Sequence, residues 1–145
     1  MKKSLFSIFI FSLLFLMGCN NSNDLSGKTF DLAYPPGPLT EGDELEDQNV
    51  FMTLSFDNGK VTREDGNEIK GEYTLSEEAL TITFKHDEEE FKVELDDFVK
   101  SEKEFSSYSA VVSDTMLEDP GEGLDHLIKL AHAFSDQLPI EFIEQ

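Results

Sequence analysis

From Asn49 onward, apolar and polar residues alternate with a period of two, broken at regular intervals by turn residues. Val50, Met52, Leu54 and Phe56 alternate with Phe51, Thr53 and Ser55, the pattern of a strand with one buried face. Asp57-Asn58-Gly59-Lys60 follows, and its Asn-Gly pair tolerates the positive φ angles that a tight hairpin demands. Val61 to Glu64 runs back, and Asp65-Gly66 turns the chain again. Ile69, Gly71, Tyr73 and Leu75 then share a face, opposite Lys70, Glu72 and Thr74. After a turn at Ser76-Glu77-Glu78 come Leu80, Ile82 and Phe84. After His86-Asp87-Glu88 come Phe91, Val93 and Leu95. A turn at Lys100 to Lys103 leads into a last meander strand, expected from Phe105 to Ser113.

The flanks of this meander read differently. Lys28 to Tyr34 has the character of a first strand. The stretch from Pro35 to Gln48 is a long acidic loop, because prolines at 35, 36 and 38 cannot sit in a sheet. Asp119-Pro120-Gly121-Glu122 marks a helix start, with Asp as cap and Pro in the first turn. Leu124, Leu127, Ile128, Ala131 and Phe134 recur at helical spacing and form one apolar stripe that must pack on the sheet. Pro139 is expected to stop the helix, and Ile140 to Glu144 fits a short terminal strand. The expected fold is therefore all-β: an up-and-down antiparallel barrel of about eight strands with one C-terminal α-helix packed on it. Closure is the usual way such a sheet removes its unpaired edges.

The N-terminus carries an address rather than a fold. Met1-Lys2-Lys3 precedes an apolar run from Leu5 to Met17 interrupted only by Ser7 and Ser12. A charged start and a short apolar stretch form an export signal, and the run is too short for the roughly 20 residues of a spanning helix. It ends in Leu16-Met17-Gly18-Cys19, which resembles the lipobox of bacterial lipoproteins. In that family the Cys thiol receives a diacylglycerol and a dedicated peptidase cuts before it. The resemblance implies cleavage between Gly18 and Cys19, lipid on Cys19, and a bilayer partner on the extracytoplasmic face of the cell membrane. Each buried CH₂ of an acyl chain contributes ~0.8 kcal/mol, so two or three chains suffice as an anchor. The domain layout that follows is a signal peptide at 1–18, a lipidated spacer at 19–26 and one barrel domain at 27–145.

Charge narrows the partners. The chain carries a net −20, and losing Lys2 and Lys3 with the signal leaves −22. Such a surface excludes nucleic acid, whose phosphates need clustered Lys and Arg. It also repels an anionic membrane surface. Acid is grouped at Glu41 to Asp47, Asp87 to Glu90, Asp96-Asp97 and Glu118 to Glu122. Solvated loops account for such runs, and a surface for a basic protein partner is the alternative. Cys19 is the single cysteine, so no internal disulfide forms.

The whole layout resembles the lipocalins and the wider calycin group, including their lipid-anchored bacterial members. The residues that carry this are Gly27-Lys28-Thr29, placed where the family's Gly-x-Trp motif opens the first strand, and the Asp31-Leu32-Ala33 continuation. Thr29 stands at the Trp position, and the chain has no Trp. The resemblance implies a barrel that holds a small apolar ligand. The inward residues singled out for that role are Met52, Phe56, Tyr73, Ile82, Phe84 and Phe91. Eight-stranded barrels either fill with side chains or hold one small ligand, and the pattern leaves both open.

Chemistry is hard to find. His126 and His132 are six apart on the expected helix, which puts them on different faces, and His86 lies in a turn. The Asp57-Asn58-Gly59 and Asp65-Gly66-Asn67-Glu68 turns lack the ordered ligand spacing of a calcium loop. No Gly-x-Ser-x-Gly and no glycine-rich phosphate cradle occurs. The sequence thus points to a binding protein without catalytic residues, metal or cofactor. Two alternatives stay open: a small apolar ligand inside the barrel, or an acidic interaction or inhibitor module outside it.

Overall fold

The computed structural model describes residues 25–36, 49–66, 68–118 and 125–145. The chain forms β1 (Lys28–Tyr34), β2 (Asn49–Asp57), β3 (Lys60–Arg63), β4 (Ile69–Ser76), β5 (Ala79–His86), β6 (Glu89–Lys100), β7 (Tyr108–Glu118), α1 (Asp125–Ala133) and β8 (Pro139–Glu144). Each strand pairs antiparallel with the next, and β8 returns to pair with β1, closing the barrel. The expected all-β barrel with one late helix is the fold observed. Its eighth strand is the short terminal segment after the helix.

Local chemistry explains the meander. At the β2–β3 hairpin Asn58 and Gly59 take φ of 47° and 79°, the doubly positive pair that a two-residue turn needs to match strand twist. Register then puts every apolar row on one side. Phe56 faces Val61, Tyr73 faces Ile82, Ile82 faces Val93, and Phe84 faces Phe91. A shift of one residue would turn all of these to water, which is why the register is unique.

Several boundaries differ from expectation. β6 runs on through Asp96-Asp97 to Lys100, because a bulge with Asp97 at φ 53° absorbs the acidic pair. β7 begins at Tyr108 rather than Phe105, since Ser106 and Ser107 are used to tie the preceding loop to β8. The expected helix start at Asp119 to Glu122 lies outside the described residues. The helix ends at Ala133, and Ser135 to Leu138 turns with Gln137 at φ 61°. Pro139 therefore opens β8 instead of stopping the helix. The buried helical row is Leu127, Leu130 and Phe134, with Ile128 and Ala131 on its flank. Leu25, which lies inside the expected spacer, belongs to the core. Leu25 is fully buried, and Gly27 N–H donates to the Phe56 carbonyl at 2.7 Å.

A polar clasp holds β8 in place. Glu141 points out of the barrel wall yet is only 2% exposed, because the loop between β6 and β7 folds over it. Its carboxylate takes an ion pair from Lys103, and Ser109 Oγ lies 2.9 Å from its Oε2. Ser101 Oγ sits 3.3 Å from the same oxygen and 3.0 Å from Ser109 Oγ. Ser107 N–H donates to the Phe142 carbonyl at 2.8 Å, and the Ser106 hydroxyl lies 3.2 Å from that carbonyl. Replacing Lys103 by Met would leave a buried carboxylate with hydroxyl donors alone. Lys103 is half-exposed, which discounts its Coulomb share, so the expected loss is about 1–2 kcal/mol. Thermal unfolding of Lys103→Met against Lys103→Met/Glu141→Gln checks this, and the double variant should recover most of the loss.

Candidate functional site

The barrel has two distinct ends. One carries the N-terminal turn, the Asn58-Gly59 hairpin, the 101–107 loop and the C-terminus; this is the loop end. At the other, the helix end, lie the Asp87-Glu88 turn and α1, which contacts β5, β6 and β7.

All six inward residues named from sequence do face the interior. Phe56, Ile82, Phe84 and Phe91 are 0% exposed, and Met52 and Tyr73 nearly so. Around them Leu32, Leu54, Leu80, Val93, Leu95, Val112, Ile140 and Phe142 are also 0% exposed. A side chain with no surface open to a water-sized sphere has protein atoms on every side. These described side chains are therefore in close contact with protein atoms, and they pack against one another across the barrel centre.

Aromatic rings do most of the filling, in two groups. At the loop end Phe30 meets Phe56, Tyr108 and Phe142 edge-on at 5.9, 5.9 and 6.0 Å, and Phe56 meets Tyr73 at 4.9 Å. Phe98 closes this group against Tyr108 and Phe142 at 4.8 and 5.2 Å. These separations lie in the range where edge-to-face and offset pairs add to plain burial. Burial pushes the Tyr73 hydroxyl above its ordinary pKa; the Gly59 backbone hydrogen bond works against that rise and Asp57 adds to it.

At the helix end the plug is α1. Phe134, 2% exposed, lies 6.0 Å from the Phe91 ring and 5.7 Å from Phe51. Phe51 stacks on Tyr34 at 4.4 Å, and the Tyr34 hydroxyl donates to the Ala133 carbonyl at 3.1 Å. The alternation pattern placed Phe51 on the polar face of its strand. A bulge changes that: Leu32 pairs with Met52 and Ala33 with Val50, leaving Phe51 as the extra residue. The alternation pattern puts neither Tyr34 nor Phe51 in the interior, and only the near-adjacent aromatics in two paired strands hint at the contact.

The same rim holds a polar corner. Arg63 occupies the inward row between Leu54 and Ile69, and its guanidinium grips Asp65 at 3.0 and 3.2 Å. Asp65 also accepts the Thr53 N–H at 2.9 Å. Partial burial opposes charge on Asp65, yet Arg63 and the Thr53 amide together hold it below its ordinary pKa. Among the described residues, no three His, Cys, Asp or Glu side chains come together as a metal site would require. His132 is exposed on α1, His86 sits at the end of β5, and the side chain of His126 lies outside the described residues. Cys19 and the acidic stretch Glu41 to Asp47 also lie outside them.

Comparisons with protein-family models, with curated proteins and with solved structures found no match.

Proposed function

We propose that this chain is an exported lipoprotein, anchored through Cys19, whose barrel is a tethered module that recognises a basic protein partner with its acidic exterior. The observation that carries this reading is the filled interior. Side chains at the centre of the barrel touch protein on all sides, so recognition falls to a surface whose net charge is −22 after signal cleavage. The anchor follows from Leu16-Met17-Gly18-Cys19 behind a short apolar run. No helix among the described residues is long and apolar enough to cross a membrane. Leu25, a core residue, is six positions from Cys19, so the barrel and its negative field would stand close to the lipid.

A second reading keeps the small apolar ligand. It is favoured by the way α1 closes the mouth with one wedge, Phe134, over Phe91 and Phe51. A ligand that displaced the wedge would meet Met52, Ile82 and Phe84.

One preparation tests both readings. The chain is expressed in bacterial cells beside Cys19→Ser and extracted in mild detergent. The expected wild-type product begins at Cys19 and carries an added diacylglycerol mass, whereas the variant is neither lipidated nor cut at that bond. An unlipidated wild type would end the anchor proposal. Wild-type protein immobilised at low ionic strength should then capture an envelope protein that salt releases. Native mass spectrometry that shows a bound, solvent-extractable molecule, with no salt-released protein, would move the function into the barrel.

A further inference from the structure

The barrel wall is unevenly closed. β8 pairs with β7 only from Tyr108 to Val111, and the last backbone bonds on that side join Val112 to Gln137 and Leu138. β7 continues to Glu118, held by β6 along one side. Its other edge, from Ser113 to Glu118, has no strand partner among the described residues. At ~3.3 Å per residue this edge offers roughly 15–20 Å of backbone. Asp114, Thr115 and Met116 are all exposed although successive residues point to opposite faces. The Thr115 N–H is taken up by the Asp114 carboxylate at 2.9 Å rather than by β6. Backbone groups alternate sides along a strand, so those of Thr115 and Leu117 face the open edge.

The charges that β7 itself carries along this edge are all negative. Asp114 lies opposite Glu94, and Glu118 lies opposite Glu90. Like charges directly opposite each other cost stability, and Lys92, attracted to Asp114 and Glu90 as well as to Glu94, offsets only part of that excess of acid. Lys85 pairs with Glu90, and Lys92, directly opposite Met116 on β6, pairs with Glu94 and is attracted to Asp114 as well. Neither Asp114 nor Glu118 makes a contact ion pair within 4 Å among the described residues, so both keep carboxylate oxygens for a further cation. Met116, 51% exposed, stands between them on the same face. The outer face thus presents acid, thioether and acid at alternate positions.

We propose that the β7 edge from Ser113 to Glu118 is a docking strand for an extended basic segment of another protein. That segment adds to the sheet with Lys or Arg at alternate positions around one apolar side chain. The proposal rests on the basic-partner reading above and gives it a place. Backbone hydrogen bonds hold the added strand, while Asp114 and Glu118 select its charge and register. A second copy of this chain is disfavoured as the occupant, because self-pairing would set these carboxylates against each other.

The probe is a fluorescent peptide of about six residues alternating Lys and Thr around a central Val, titrated against the full chain and read by anisotropy. Binding is expected at low salt. N-methylation of the peptide's alternate amides leaves its charge intact and removes the ladder donors, so it should weaken binding at least roughly tenfold. Thr115→Pro should do the same from the protein side, since it removes an edge N–H whose acceptor here is the exposed Asp114 carboxylate rather than a neighbouring strand. The methylated peptide keeps the test sound should that variant unfold. Asp114→Lys/Glu118→Lys should transfer the preference to the Glu counterpart of the peptide. Equal binding of the methylated peptide would overturn the edge proposal while leaving a diffuse basic-partner surface standing. No binding of any basic peptide, even at low salt, would remove both. A dimer of the chain abolished by Thr115→Pro would assign the edge to a second copy and overturn the proposal.

Discussion

Gly71→Ala is expected to be among the most damaging single substitutions in the barrel, although it adds one methyl group. Gly71 lies in β4 on the inward row, between Val61 of β3 and Phe84 of β5. A Cβ there would stand 2.3 Å from the Thr83 carbonyl oxygen, 3.0 Å from its carbon and 3.1 Å from Phe84 Cα. All three are backbone atoms of a neighbouring strand, so no side chain can rotate aside. Relief requires β4 and β5 to separate, which breaks their ladder and displaces Phe84 from the core. The expected loss is about 3 kcal/mol, the upper part of the range for overpacking. For a domain of this size that lowers Tm by roughly 10 °C. Gly66 is the control: it has φ +85° and nothing within 4 Å of a would-be Cβ. Gly66→Asn should melt near wild type, because Asn tolerates the left-handed region and has room. A wild-type-like Tm for Gly71→Ala would mean that β4 and β5 do not approach so closely.

The contrast between these glycines shows what a sequence can reveal. Alternation placed Gly71 on the same face as Tyr73, and the structure agrees, but no pattern of residue types announces how near a neighbouring backbone runs. Asn58-Gly59 was legible because its turn needs two positive φ angles and few residue pairs supply them. Glu77 and Asp87 also take φ of 53° at their turns, and their types alone would not have said so. Bulges are the main reason for what stayed hidden. The one at Asp96-Asp97 lengthens β6, and the one opposite Ala33 turns Phe51 into the rim beneath α1. Each adds a residue that shifts the period, and its position depends on the partner strand. Leu130 escaped notice for a related reason. Helical spacing runs the apolar row through Ile128 and Ala131, and only the position of α1 at the mouth shows that the centre of contact lies one residue to the side. The six interior residues were recognisable from the period of two. Whether they enclose space was not, because filling depends on how Phe30, Phe98, Phe134 and Phe142 converge from four separate segments.

Phe142→Ala should test that convergence, with a larger and more localised effect than truncation at the helix end. Phe142 is fully buried and meets Phe30 and Phe98 edge-on at 78° and 88°. Its removal takes one ring from the centre of a cluster whose other members are anchored on β1, β6 and β7. They cannot all move inward together, so a void persists, and the expected cost is about 3–5 kcal/mol. β8 is the strand least able to bear it. It is short, it pairs with β7 only from Ala110 and Val111 through Tyr108, and the Ser106 and Ser107 ties to its carbonyl are backbone-directed. Hydrogen exchange should therefore show amides of β8, and those of β1 facing it, exchanging well before β4 and β5. Phe134→Ala removes a ring of equal size from the residue just after a nine-residue helix that is free to settle into the gap, so its cost should be about 2 kcal/mol. If the two variants lose equal stability and exchange uniformly, the loop-end cluster is not what closes the barrel. If Phe134→Ala alone gains affinity for a fluorescent fatty acid, the wedge over Phe91 and Phe51 is what keeps the interior filled, and the barrel holds a latent ligand site behind it.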